Sequence, residues 1–153
     1  MRIYLLTHQR ELKKPTNTGR IVKACRDDGV EIVTWRRTEP CEEILQLIER
    51  DKIALLYPAD DDSTVESCLG FNNFLILDAT WQEARKMYNR SPYLQRASRV
   101  SFKIAGPSRY RLRRNQIANG LSTAECAIEL LKLKGQERQA ACVELAFAQF
   151  NAK

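Results

Sequence analysis

The residues most able to do chemistry lie in Leu77-Asp78-Ala79-Thr80-Trp81, where an apolar run ends in a carboxylate and a helical pattern begins at once. Strand carboxyl ends and helix amino ends meet at the ligand-binding edge of α/β sheets. Asp78 there can accept a proton from a substrate, or cap the following helix through its N–H groups. Three other polar clusters interrupt the apolar pattern. Lys14-Pro15-Thr16-Asn17-Thr18-Gly19-Arg20 opens a helix, with Thr16, Asn17 or Thr18 as its cap and exposed N–H groups for an anion. Tyr57-Pro58-Ala59-Asp60-Asp61-Asp62 follows an apolar run, and its three acids read as a solvated turn in the absence of further metal ligands. Gly120-Leu121-Ser122-Thr123-Ala124-Glu125 carries the capping-box spacing of Ser122 with Glu125. There is no GxGxxG and no P-loop, so nicotinamide and nucleoside triphosphate chemistry have no support.

The elements that must position these clusters follow from periodicity. Apolar runs at Ile3–Leu6, Glu31–Trp35, Ile53–Tyr57, Phe74–Leu77 and Arg99–Phe102 read as strands, several of them continuous, as in parallel strands covered on both faces. Helical spacing marks Thr18–Arg26, Pro40–Arg50, Trp81–Asn89, Ser122–Lys134 and Glu137–Phe150. The alternation predicts an α/β fold with a mostly parallel sheet flanked by helices, and 153 residues suit one domain. Ala105–Gly120 is the longest expected loop, and long loops in compact domains are more often functional than accidental.

Composition narrows the class. Apolar residues make up 44% and charged residues 29%, and no run approaches the length of a membrane span, so a soluble protein with no membrane partner is expected. The first ten residues lack a signal-peptide pattern, which reads as cytoplasmic. Five scattered cysteines without a CxxC pair, and a single histidine, form neither a disulfide framework nor a metal cluster, so no metal site is expected. The net charge of +6 is local: residues 78–120 hold ten basic side chains, eight of them arginine, against Asp78 and Glu83. Arginine's planar fork suits phosphate, and with acidic neighbours missing from the segment this stretch points to nucleic acid.

Taken in order, "KPTNTGR", "LLYPADD", "LDATWQEARKM", "SPYL", "PSRYRLRR" and "LSTAECAIELL" resemble the DTW-domain family across residues 8 to about 135. The resemblance implies one domain over residues 1–153 with a SPOUT-like fold, including a C-terminal trefoil knot. It also implies a tRNA-uridine aminocarboxypropyltransferase that moves the 3-amino-3-carboxypropyl group of S-adenosylmethionine to N3 of uridine and releases 5′-methylthioadenosine. By this resemblance Asp78 is the catalytic base or a structural cap. The cofactor walls are Leu56, Tyr57, Pro58, Leu77, Ala79, Thr80, Leu121, Ser122 and Thr123. Thr16, Asn17, Thr18, Arg20, Trp81, Arg109 and Tyr110 serve the substrate: Arg20 or Arg109 for a carboxylate or phosphate, Asn17 or Thr18 for the uracil, Trp81 stacking on the base or packing its helix. Arg111, Arg113, Arg114, Arg96 and Lys86 track the tRNA backbone. The target implied is the variable-loop uridine at position 47, and the chain is a monomer or a homodimer. Many relatives carry a zinc-like cysteine cluster ahead of the domain, whereas this sequence starts close to the "PTNTGR" motif. RNA methylation on the same fold and RNA binding without chemistry are the competing expectations.

Overall fold

The computed structural model describes residues 1–57, 69–100 and 122–152. Five parallel strands form one sheet: β1 (Arg2–Thr7), β2 (Val30–Thr34), β3 (Ala54–Leu56), β4 (Asn73–Asp78) and β5 (Ser98–Val100), in the order β2-β1-β4-β3-β5. Six described α-helices accompany them: α1 (Gly19–Cys25), α2 (Glu42–Glu49), α3 (Trp81–Arg90), α4 (Pro92–Gln95), α5 (Thr123–Leu133) and α6 (Glu137–Asn151). The strands begin or end within a few residues of their sequence-predicted limits. The short α4 went unpredicted because four residues are too few to show a helical period.

Side chains alternate across the sheet with period two and divide the core into two layers. Ile3, Leu5, Val30, Ala54, Phe74, Ile76 and Val100 face α1, α5 and α6, meeting Val22, Ala127, Ile128, Leu131, Val143 and Phe147. Tyr4, Leu6, Leu55, Leu75 and Leu77 face α2, α3 and α4, meeting Ile44, Ile48, Met87, Tyr93 and Leu94. Burying such a side chain contributes roughly 1.5–3 kcal/mol, so a one-residue slip of β1 or β4, which exchanges the two layers' side chains, is strongly disfavoured. The register is thereby fixed, and with it the position of the last rung.

That rung decides the site. Arg2 pairs with Asn73 at one end of the β1–β4 ladder and Thr7 with Asp78 at the other. Counting by twos from Phe74 and Ile76 turns Asp78 toward the α1/α5/α6 layer, as Thr7 follows Ile3 and Leu5. The neighbouring His8 continues the opposite series, Tyr4 and Leu6. β1 and β4 lie side by side at the centre of the sheet, β2 on one side and β3 with β5 on the other. Their carboxyl ends therefore meet at the topological switch point, where ligands of open α/β sheets bind.

Candidate active site

Asp78 is 1% exposed and joins three parts of the chain. Its Oδ2 accepts from Thr7 Oγ1 (3.1 Å) and Asn17 Nδ2 (3.0 Å), and its Oδ1 accepts from Thr123 Oγ1 (2.8 Å). Burying a carboxylate is tolerable only with such donors. Of the two alternatives read from the sequence for Asp78, proton acceptor or cap of α3, the cap is supplied by another residue. Thr80 is the N-cap, its hydroxyl accepting from the Glu83 N–H while the Glu83 carboxylate accepts from the Thr80 N–H. The Thr80-Trp81-Gln82-Glu83 spacing is a capping box legible in the sequence. With that cap supplied, the buried carboxylate is left to tie β1, β4, the α1 loop and α5 together.

The loop before α1 serves the same junction. Asn17 Oδ1 accepts the Gly19 N–H at 2.7 Å and its amide also donates to the Glu11 carbonyl at 2.9 Å. Thr18 stands at the N-cap position of α1 without capping it. Its hydroxyl instead accepts the Ala124 N–H of α5 at 3.1 Å. Capping by Asn17 rather than Thr18 follows from reach: Thr18 is turned across to α5, over 106 residues of sequence. The Ser122–Glu125 capping box appears as the sequence predicts, which leaves Thr123 free to point back at Asp78.

The other side of the rung is aromatic. The His8 imidazole stacks on Trp35 with centroids 5.7 Å apart, and the Trp35 indole N–H donates to Ser91 Oγ at 2.8 Å. His8 Nδ1 accepts the Arg10 N–H at 3.1 Å and lies 3.7 Å from Glu83 Oε2. Burial pushes the Glu83 carboxyl up, but the Thr80 N–H, His8, the Thr80 hydroxyl and Lys14 together bring it below the ordinary glutamate range. With the folded pKa below the unfolded one, the unfolded chain binds more protons between the two values. Glu83 therefore contributes stability that is present above about 4.3, the usual glutamate value, and is lost as pH falls through its folded value. Glu83→Gln keeps the capping-box geometry, so unfolding titrations below that pH should show a shallower loss of stability than in wild type. An unchanged slope would remove Glu83 from the acid response.

Next to this, Trp81 stacks on Tyr57 (5.6 Å), Tyr57 on Tyr88 (4.2 Å), and the Arg99 guanidinium lies over the Tyr88 ring (5.8 Å). Trp81, partly exposed, thus packs against the residue that follows β3. Burial raises the Tyr57 phenol's pKa, with Arg85 and Arg99 opposing and Tyr88 adding to the rise.

Of the expected cofactor walls, Leu56, Tyr57, Ala79 and Thr80 are partly exposed at the carboxyl ends of the adjacent β3 and β4. Leu77, Ser122 and Thr123 are buried, the first in the α2/α3 layer and the others held by Glu125 and Asp78. Thr16 is partly exposed, Asn17 and Thr18 are buried, and exposed Arg20 donates to the Lys14 carbonyl at 3.0 Å. Arg20 and Asn17 line a cleft of about 330 Å³ with Ile21, Ala24, Ala146 and Phe150. Lys86 and Arg96 are exposed. Pro58, Arg109, Tyr110, Arg111, Arg113, Arg114 and Leu121 lie outside the described residues, as does the acidic run 60–62. Sequence reasoning missed Thr7, His8 and Trp35. The signal for Thr7 was the alternation that sets it level with Asp78; for His8 it was a histidine following a central strand.

A family model described as DTW domain matches residues 1–153. The chain belongs to the DTW domain family. Among curated relatives, tRNA-uridine aminocarboxypropyltransferase 2 of Drosophila melanogaster is 26% identical over 136 residues, covering 84% of this chain and 54% of that protein. Its counterpart in Macaca fascicularis is 24% identical over 139 residues, covering 86% of this chain and 47% of that one. This DTW chain therefore spans about half the length of the curated relatives it matches. Among solved structures, the SAM-dependent rRNA:acp-transferase Tsr3 from Vulcanisaeta distributa superposes with a TM-score of 0.61 at 16% identity, over 99% of this chain and 75% of that one. That likeness is one of fold, and it extends over nearly the whole parallel sheet and its helices.

Proposed function

We propose that this DTW protein transfers the 3-amino-3-carboxypropyl group of S-adenosylmethionine to N3 of a tRNA uridine, the variable-loop uridine by resemblance, releasing 5′-methylthioadenosine. The observation that carries the reading is the Asp78 junction at the switch point of a DTW chain, with partly exposed walls on two adjacent strands beside it. The names of its relatives and the arginine-rich segment support it.

The reaction needs aim more than force. The sulfonium is already an excellent leaving group, and its methyl is sterically the easier target, so the protein must present the methionine arm to the uridine. The half-buried apolar side chains of Leu56, Tyr57 and Ala79 are the surface this reading assigns to the adenosine, and the capped start of α3 leaves the Ala79–Thr80 backbone fixed beside them. Asp78 acts as a positioning residue in this reading. At 1% exposure Asp78 is enclosed, so taking a proton from a base would require the junction to open, whereas holding the α1 loop, β1 and α5 in register requires no movement. The SPOUT-like trefoil knot belongs to the same proposal, supported by a strand order that sets β3 between β4 and β5.

Incubation of the full chain with labelled S-adenosylmethionine and unmodified tRNA, followed by nucleoside mass spectrometry, tests the proposal. The expected result is an aminocarboxypropyl gain on one uridine with methylthioadenosine released. A methyl gain, or binding without mass change, overturns it. Arg113→Ala combined with Arg114→Ala should weaken tRNA binding and lower its salt slope by about 2, leaving S-adenosylmethionine affinity intact. Parallel loss of both affinities would assign these arginines to the pocket or the fold instead.

A further inference from the structure

We infer that His8 donates a hydrogen bond from Nε2 to a carbonyl oxygen of the target uracil, holding the base and stabilising the charge it carries as N3 attacks. The inference rests on the proposed transfer to uridine and assigns a residue to it.

Three observations fix the imidazole. Its face lies on the Trp35 indole, which is itself tied to Ser91. Its main-chain N–H donates to the Asp78 carbonyl at 3.2 Å, which anchors it to the last rung of the sheet. Its Nδ1 accepts the Arg10 N–H at 3.1 Å as the N-cap of the short 3-10 turn Gln9–Glu11. In the neutral ring an Nδ1 that accepts places the proton on Nε2. Among the described residues Nε2 has no hydrogen-bond partner, and it is not among their buried unpaired atoms. The ring therefore presents one accessible N–H, of fixed tautomer, at the switch point between β1 and β4.

The neighbourhood selects the acceptor. Glu83 Oε2, 3.7 Å from Nδ1, puts negative charge beside the ring and disfavours a carboxylate ligand such as the amino-acid end of the cosubstrate. A neutral carbonyl suffers no such repulsion. Loss of the N3 proton spreads charge onto the uracil oxygens, so a preorganised donor there strengthens as the nucleophile forms. In the balanced step, N3 gives its proton to water and its electron pair attacks the methylene carbon. The carbon–sulfur bond breaks, its pair goes to sulfur, and methylthioadenosine leaves. His8 keeps its own proton throughout.

Two variants separate this role from support of the turn. His8→Asn places a side-chain oxygen near the Nδ1 position, where it still caps the turn, but has nothing at the position of Nε2. His8→Gln places an amide N–H near Nε2 and weakens the cap. With tRNA and S-adenosylmethionine saturating, His8→Asn should lose about 100-fold in kcat with unchanged affinities for both substrates and a Tm lowered only by the lost Trp35 stack, a loss that both variants share. His8→Gln should stay within about 10-fold of wild-type kcat despite a lower Tm. A structural role predicts the reverse order. Wild-type kcat in His8→Asn, equal loss in both variants, or a loss confined to either substrate's affinity overturns the inference. A wild-type protein that transfers nothing in the same assay overturns the functional proposal itself, and this inference with it.

Discussion

Asp78→Ala is expected to destabilise the protein by about 3 kcal/mol or more, since hydrogen bonds to a charged group contribute about 1.5–3 kcal/mol each and the donors left behind are buried. The damage should be shared unequally. Thr7 Oγ1 also lies 3.2 Å from the Leu5 carbonyl and Asn17 also donates to the Glu11 carbonyl, so both keep a partner. Among the described residues Thr123, the first residue of α5, has no such alternative, so that helix should loosen first. Asp78→Asn is the informative comparison. Its oxygen can face Thr7 and Asn17 while its amide faces the Thr123 hydroxyl, which rotates to accept, so the variant should fold with a loss of only about 1 kcal/mol. Denaturant unfolding measures the stabilities and the labelled transfer assay the rate. If Asp78 is a positioning residue, Asp78→Asn retains transfer at a reduced rate. Complete loss of kcat in a variant that unfolds like wild type would make the carboxylate the proton acceptor.

How much of this was visible beforehand depends on whether the cause is local. The strands of the two-layer core were legible because burial on both faces leaves continuous apolar runs, and Glu137–Asn151 was legible because fifteen residues show a period. Asp78 stood out because a carboxylate ending an apolar strand conflicts with burial unless something meets it. Of the groups that meet it, only Thr7 has a signal, the alternation that sets it level with Asp78; Asn17 and Thr123 are 61 and 45 residues away, and no local pattern relates them to it. The capping boxes of Thr80 with Glu83 and Ser122 with Glu125 are local patterns, whereas the choice among Thr16, Asn17 and Thr18 at α1 is settled by where each hydroxyl or amide is drawn in the folded chain. Thr18 is drawn to α5, so Asn17 turns inward to Gly19. The aromatic stack of Trp81, Tyr57 and Tyr88 likewise joins a strand end to a helix that follows a further strand, and single-element periodicity carries no trace of it.

The same junction makes Gly19→Ala an unusually harmful substitution. Alanine in an exposed helix interior stabilises relative to glycine by about 1 kcal/mol, and Gly19 begins a helix. Here, however, an added Cβ would lie 2.6 Å from Asp78 Oδ2, 3.0 Å from Asn17 Oδ1 and 3.1 Å from Asp78 Cγ. The obstructing atoms are not the ends of mobile side chains: the carboxylate is held by Thr7, Asn17 and Thr123, and the amide by Gly19 itself and Glu11. Relief requires moving α1 away from the last rung, which also strains the Thr18–Ala124 bond to α5. Overpacking of a closed site typically destabilises by about 1–3 kcal/mol, and transfer activity should fall with the displaced loop. A double-mutant cycle isolates the cause. In an Asp78→Ala background only the 3.0 Å approach to Asn17 Oδ1 remains, so Gly19→Ala should then be clearly less destabilising, with a coupling of at least about 1 kcal/mol. If Gly19→Ala destabilises equally in both backgrounds, the glycine is required for the backbone of the α1 entrance rather than for the approach of Asp78.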